Sequence, residues 1–170
     1  MPISRARPID ELYADVADHD LVLVPDAPLA SALNRRLDRP HLGTFATTPR
    51  RLAAGRRETA EDRIAFLELI EHTDLDWKVA AHTVGNILQC WEHQTTIDAI
   101  LEYDSYADTA THDAVEYMRA LQTTSRKLTD YTIDTDQSLA VVGPEEFTPL
   151  ERTILPDEYT TVDLFTDDAF

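Results

Sequence analysis

Apolar positions in this chain follow two periods. Residues 21–24 (LVLV) and 139–142 (LAVV) are uninterrupted four-residue apolar runs, each closed by a turn pair, Pro25-Asp26 and Gly143-Pro144. Short, β-branched runs of this kind predict strands buried on both faces, as in a parallel sheet. The period then changes. Asp26 offers a helix N-cap, Pro28 falls in the first turn, and Leu29, Leu33 and Leu37 recur every four residues. Strand 21–24 and helix 27–38 are therefore expected to form a βα unit, and EEFTPLERTIL after Gly143-Pro144 reads as a second helical pattern.

Elsewhere the same two periods mark further elements. In residues 8–18, Ile9, Leu12, Tyr13 and Val16 share one face of an expected amphipathic helix. Residues 41–46 read as a second short strand. Thr47 or Thr48 then caps a helix that begins at Pro49 and stops at Gly55. From about 59 to 130 the pattern is helical throughout, with Trp77, Ala80, Ala81, Val84, Ile87, Leu88 and Trp91 on one wide apolar face and Val115, Met118 and Leu121 on another. A last β-rich run covers 159–165. The expected fold is α/β: a small, mainly parallel sheet with an inserted all-helical subdomain. Its core is discontinuous (1–58 and 131–170), and the insertion is 59–130. A core strand so near the last residue predicts a fragment or one domain of a longer protein.

Composition narrows the class. At 170 residues, with 43% hydrophobic and 28% charged residues, the chain has the make-up of a globular domain, and no apolar run is long enough to cross a bilayer. The N-terminal stretch lacks the apolar centre of a secretory signal, and Cys90 is the single cysteine. Both predict a cytoplasmic protein without an intrachain disulfide.

A net charge of −17 argues against a phosphate-rich partner. However, only two of the 15 basic residues are lysine (Lys78 and Lys127), and the 32 acids include many Asp. This is the composition expected of an extreme halophile, a haloarchaeon, whose proteins are acidic whatever they bind. Distribution is then more informative than total. Residues 1–63 hold ten arginines against ten acids, and between Arg35 and Arg57 seven arginines (35, 36, 39, 50, 51, 56, 57) accompany one acid, Asp38.

The order of these segments resembles the inner part of a superfamily 1 helicase core of the UvrD/Rep type. LVLVPDAPLASALNRRL is similar to the family's strand and turn whose polar residues touch single-stranded DNA. GTFATTPRRLA is similar to the Gly-Thr-Phe turn that opens a helix on the same DNA track. A helical subdomain follows in that family, where 59–130 stands here. LAVVGPEEFTPLE resembles the acidic ATPase strand, but alignment on Thr148-Pro149-Leu150 puts Val142 and Gly143 where that strand carries Asp-Glu.

An ATPase needs one carboxylate to hold Mg²⁺ and another to orient water, and the phosphate-cradling G-x-x-x-x-G-K-[ST] loop is missing too. The resemblance therefore implies an inactivated, RecA-like domain without its phosphate loop, as in the AddB and RecC subunits of recombination helicase–nucleases. It implies no cofactor. Its partners would be single-stranded DNA and the remainder of a longer chain or another subunit, with no membrane. The DNA-contacting residues would be Arg35, Arg36, Thr44, Phe45, Thr48, Arg50 and Arg51.

Alternatives stand beside each of these. The arginines suit bidentate phosphate contacts, or they pair internally with the acidic remainder. Phe45 has the chemistry to stack a base, or it is a core aromatic. His82, Cys90 and His93 lack metal-ligand spacing. Pro25, Asp26, Asp76 and Lys78 have nuclease-type chemistry, but Asp76 and Lys78 fall at an expected helix start rather than on a second strand. The competing function is a protein-interaction or scaffold domain that binds no nucleic acid.

Overall fold

The structure, a computed structural model, describes residues 4–55, 58–134 and 136–167. Among these, the two apolar runs are strands β2 (Leu21–Leu23) and β4 (Leu139–Val142), following β1 (Ser4–Ala6) and preceding β5 (Thr160–Val162). Although 118 residues separate their first positions, Leu21, Val22 and Leu23 pair in parallel with Leu139, Ala140 and Val141. With β3 (Ala46–Thr47) on one side and β5 on the other, the sheet order is β3-β2-β4-β5, all parallel. Every residue of β2 and β4 is buried, the outcome that uninterrupted apolar runs in a parallel sheet require.

Helices α1 (Ile9–Val16) and α2 (Ala27–Arg36) supply the apolar partners of this sheet. Leu12 and Val16 of α1 and Ala30 and Leu33 of α2 join Val22, Val24, Phe45, Ala140, Val142 and Val162 in one core, and Ile9, Tyr13, Leu29 and Leu37 pack on it. These are the positions marked by the four-residue spacing. Asp26 caps α2 as expected, its side chain accepting from the Leu29 N–H at 2.8 Å.

Two expectations about strands are corrected. The run 41–46 is extended only at Ala46–Thr47. Gly43 has φ +82° and Leu42 is 95% exposed, so the chain before Thr44 turns through solvent instead of pairing. The run 159–165 divides into β5 and β6 (Phe165–Asp167), and β6 leaves the parallel sheet to pair antiparallel with β1. β1 itself has no apolar signature and was not foreseen. Arg7 holds this region together: its guanidinium donates to Glu11 (2.9 Å), Asp15 (2.6 Å) and the Asp163 carbonyl (2.9 Å).

Contacts divide the chain into two units. One contains both sheets and is drawn from residues up to 52, 133–147 and from 156 onward; the other comprises 53–132 and 148–155. The second is helical: α4 (Glu58–His72), α5 (Trp77–Gln94), a 3₁₀ turn at Ile97–Glu102, α6 (Thr109–Arg119), α7 (Thr124–Asp130) and the short α8 (Pro149–Arg152). α3 (Pro49–Ala54) precedes it in the chain. Segment 148–155, read from sequence as part of the α/β core, belongs to this helical unit.

The core of the helical unit centres on Trp91, Ile87, Met118, Leu128, Leu150 and Ile154. The apolar stripe of α5 is narrower than its sequence suggests. Ala80, Val84, Ile87 and Trp91 are buried, whereas Trp77 is 63% exposed and Ala81 is exposed. Side-chain caps start these helices: Asp76 accepts from the Lys78 and Val79 N–H groups, Asp108 from Thr111 and Thr123 from Arg126. Among the described residues no helix is long and apolar enough to cross a membrane.

Candidate functional site at the carboxyl edge of the sheet

In a parallel sheet the strand-to-helix turns all leave one edge, and binding residues concentrate where neighbouring connections diverge. Here that point is between β2 and β4, since β2 continues to β3 on one side and β4 to β5 on the other. The turns at this edge carry Asp26, Thr48 and Gly143 to Glu146. Asp26 is engaged as the α2 cap. Thr48 is buried and caps α3, its hydroxyl accepting from the Arg51 N–H at 3.2 Å.

The turn after β4 decides what chemistry this edge can hold. Val142 is fully buried, its side chain in the sheet core. Gly143 has φ +57°, and a Cβ built there would lie 3.0 Å from the Leu164 Cβ. A carboxylate at Val142 would be buried among apolar side chains, and one at Gly143 would strain the backbone and displace Leu164. Glu145 and Glu146 are exposed in the 3₁₀ turn Pro144–Glu146 that follows.

The arginine window is largely committed to internal contacts. Arg36 pairs with Asp10. Arg39 donates to the Ala17 and His19 carbonyls (3.0 and 2.8 Å) and lies 5.8 Å over the Phe45 ring. Arg50 also has an interaction partner. Arg56 and Arg57 lie outside the described residues. Arg35, Thr44 and Arg51 are exposed, and their side chains have no partner among the described residues.

Phe45 is corrected from base-stacking candidate to core residue. It is 2% exposed, its ring held edge-on by Tyr13 (6.2 Å) and His41 (5.4 Å). An aromatic beside an apolar strand removes more area from water by packing inward. Asp76 and Lys78, weighed as nuclease residues, begin α5, where the Asp76 carboxylate is occupied by two backbone N–H groups at 2.9 Å.

Two features of the helical unit were not anticipated. Glu68, Glu71 and His72 place potential ligand atoms within 4.8 Å of one another, with the Glu68 carboxylate 3.1 Å from His72 Nε2. Their i, i+3, i+4 spacing was the available signal. Cys90 and His93 instead line an open cleft between α5 and the 3₁₀ turn, and burial, with the Glu102 charge, pushes the Cys90 thiol pKa up. No protein-family model, curated protein or solved structure matches this chain.

Proposed function

We propose that this chain is a non-catalytic, helicase-like DNA-binding domain of a DNA repair or recombination helicase–nuclease, with a RecA-like sheet interrupted by a helical subdomain. The observation that carries this reading is the pairing of β2 with β4. The two strand-and-turn segments on which the helicase resemblance rests are adjacent, in register, and open at the same sheet edge. The left-handed Gly143 and the buried Val142 at the acid-pair positions support a role without ATP hydrolysis.

The DNA contacts in this reading reduce to the exposed set Arg35, Thr44 and Arg51, because Arg36 and Phe45 are spent on the fold, Thr48 is buried as the α3 cap and Arg50 has a partner. Fluorescence anisotropy of a labelled single-stranded oligonucleotide, titrated with KCl, tests it. Saturable binding that weakens with salt is expected, and Arg35→Glu with Arg51→Glu should lower the magnitude of the salt slope by about two contacts' worth. An unchanged slope would remove this surface. The exposed apolar groups of the helical unit, including Trp77 and Leu67, favour a second reading, a docking domain for another subunit. Self-association or subunit capture without DNA binding would support that one.

A further inference from the structure

The helical unit carries an open cleft of about 300 Å³ between one face of α5 and the segment after it. Asn86, Gln89, His93 and Gln94 recur on α5 at helical spacing, and Tyr103 and Tyr106 stand opposite, held by a turn in which the Tyr106 N–H donates to the Tyr103 carbonyl at 2.9 Å. Ile100 and Cys90 complete the lining.

Two properties set this cleft apart. Its lining has no Asp, Glu, Lys or Arg, in a chain in which 28% of residues are charged. In addition, the side chains of all six polar residues lack a partner among the described residues, in contrast to the spent arginines of the other unit. Tyr103 and Tyr106 are 47% and 46% exposed, and neither hydroxyl has a hydrogen-bond partner among the described residues.

Carboxamides offer paired donors and acceptors, tyrosine faces accept planar rings, and a lining without charged side chains, with the Glu102 carboxylate near Cys90, gives an anion no partner. The size is at the lower end of small-ligand sites. We infer that this cleft holds a nucleobase: a planar, uncharged ring stacked on Tyr103 or Tyr106, with its polar edge bonded to the α5 carboxamides. This inference deepens the DNA-binding reading and rests on it for the source of the base, a single strand. The phosphates would then be bound elsewhere.

The test is NMR on the full, ¹⁵N-labelled chain, following the side-chain amides of Asn86, Gln89 and Gln94. They are titrated with a single-stranded oligonucleotide, an abasic sugar–phosphate oligomer of equal length, and a free nucleoside. The oligonucleotide is expected to shift these amides and the abasic oligomer to leave them unmoved. Tyr103→Ala with Tyr106→Ala should weaken oligonucleotide binding about fivefold or more, and Tyr103→Phe with Tyr106→Phe, which keeps both rings, should retain it.

Equal affinity for the abasic and normal strands, with unmoved amides, would overturn the cleft and leave the DNA-binding reading standing. A nucleoside that shifts the amides while no oligonucleotide binds would keep the cleft and remove the DNA reading. No shift with any ligand would overturn the inference.

Discussion

The side-chain amide of Asn34 occupies both backbone hydrogen-bonding groups of Ala46. Its Nδ2 donates to the Ala46 carbonyl at 3.0 Å, and its Oδ1 accepts from the Ala46 N–H at 2.9 Å. Val22 and Val24 donate to the carbonyls of Phe45 and Thr47, so the groups of Ala46 between them face away from β2. Asn34 thus substitutes for a neighbouring strand at the open edge of the sheet, where unpaired groups invite pairing with another chain. It also ties α2 to β3 ahead of the turn at Thr48.

Replacing Asn34 with Leu should leave the Ala46 N–H and C=O without protein partners and cost about 1–3 kcal/mol. Urea unfolding should show a lower midpoint at unchanged slope, and amide exchange at Ala46 should quicken. A midpoint equal to wild type would mean that water replaces the amide without loss.

Gly143 offers a sharper test because backbone and packing both oppose a side chain there. Gly143→Ala should cost about 1–2 kcal/mol from the left-handed conformation alone, with a further contribution because its Cβ would meet Leu164 at 3.0 Å. In a double-mutant cycle with Leu164→Gly, which removes the Leu164 Cβ that the new side chain would meet, only this second contribution should be relieved. Val142→Asp with Gly143→Glu, which places an Asp-Glu pair at the end of β4, is expected to give a less stable protein with no ATP hydrolysis by phosphate release.

In the helical unit, the Thr148 hydroxyl donates to the buried Glu92 carboxylate at 2.6 Å and accepts from the Glu151 N–H at 3.2 Å, while Glu151 Oε1 accepts from the Thr148 N–H. Thr148→Val, similar in shape, removes a charge-assisted bond and a helix cap together, for an expected loss of about 2–3 kcal/mol by denaturant unfolding. Thr148→Ser should recover most of it. Equal stability of the Val and Ser variants would refute the network's role.

The Arg119 guanidinium bonds both oxygens of Asp98 and also reaches Glu116, holding the Asp98 pKa below its usual 3.8. A carboxylate with a lowered folded-state pKa adds stability above its unfolded pKa and loses it as pH falls through the folded value. The difference in thermal midpoint between wild type and Asp98→Asn should therefore be constant near neutrality and shrink below about pH 3.8. Molar KCl should reduce it at every pH, since the pair is half-exposed.

Much of the α/β unit was legible in the sequence, because local period and local burial coincide there. The runs at 21–24 and 139–142, the Asp26 cap and the stripe of Leu29, Leu33 and Leu37 each state their environment within a few residues, whereas the cap of α3 was narrowed only to Thr47 or Thr48. The candidate site was less legible. Seven arginines against one acid describe a charge density, but Arg36 finds Asp10 and Arg39 finds the Ala17 and His19 carbonyls only once α1 and α2 share a core.

By itself the sequence determined the two central strands at 21–24 and 139–142, the helix after Asp26 and the helical character of 59–130, and that Val142 and Gly143 carry no carboxylate. It determined these because hydrophobic period, capping and residue identity are local properties. Tertiary structure decided that β2 lies beside β4, that residues 148–155 join the helical unit, that Phe45 is core, and that the uncharged lining of the α5 cleft comes together. Those outcomes depend on pairing and burial between residues far apart in the chain, which no local pattern encodes.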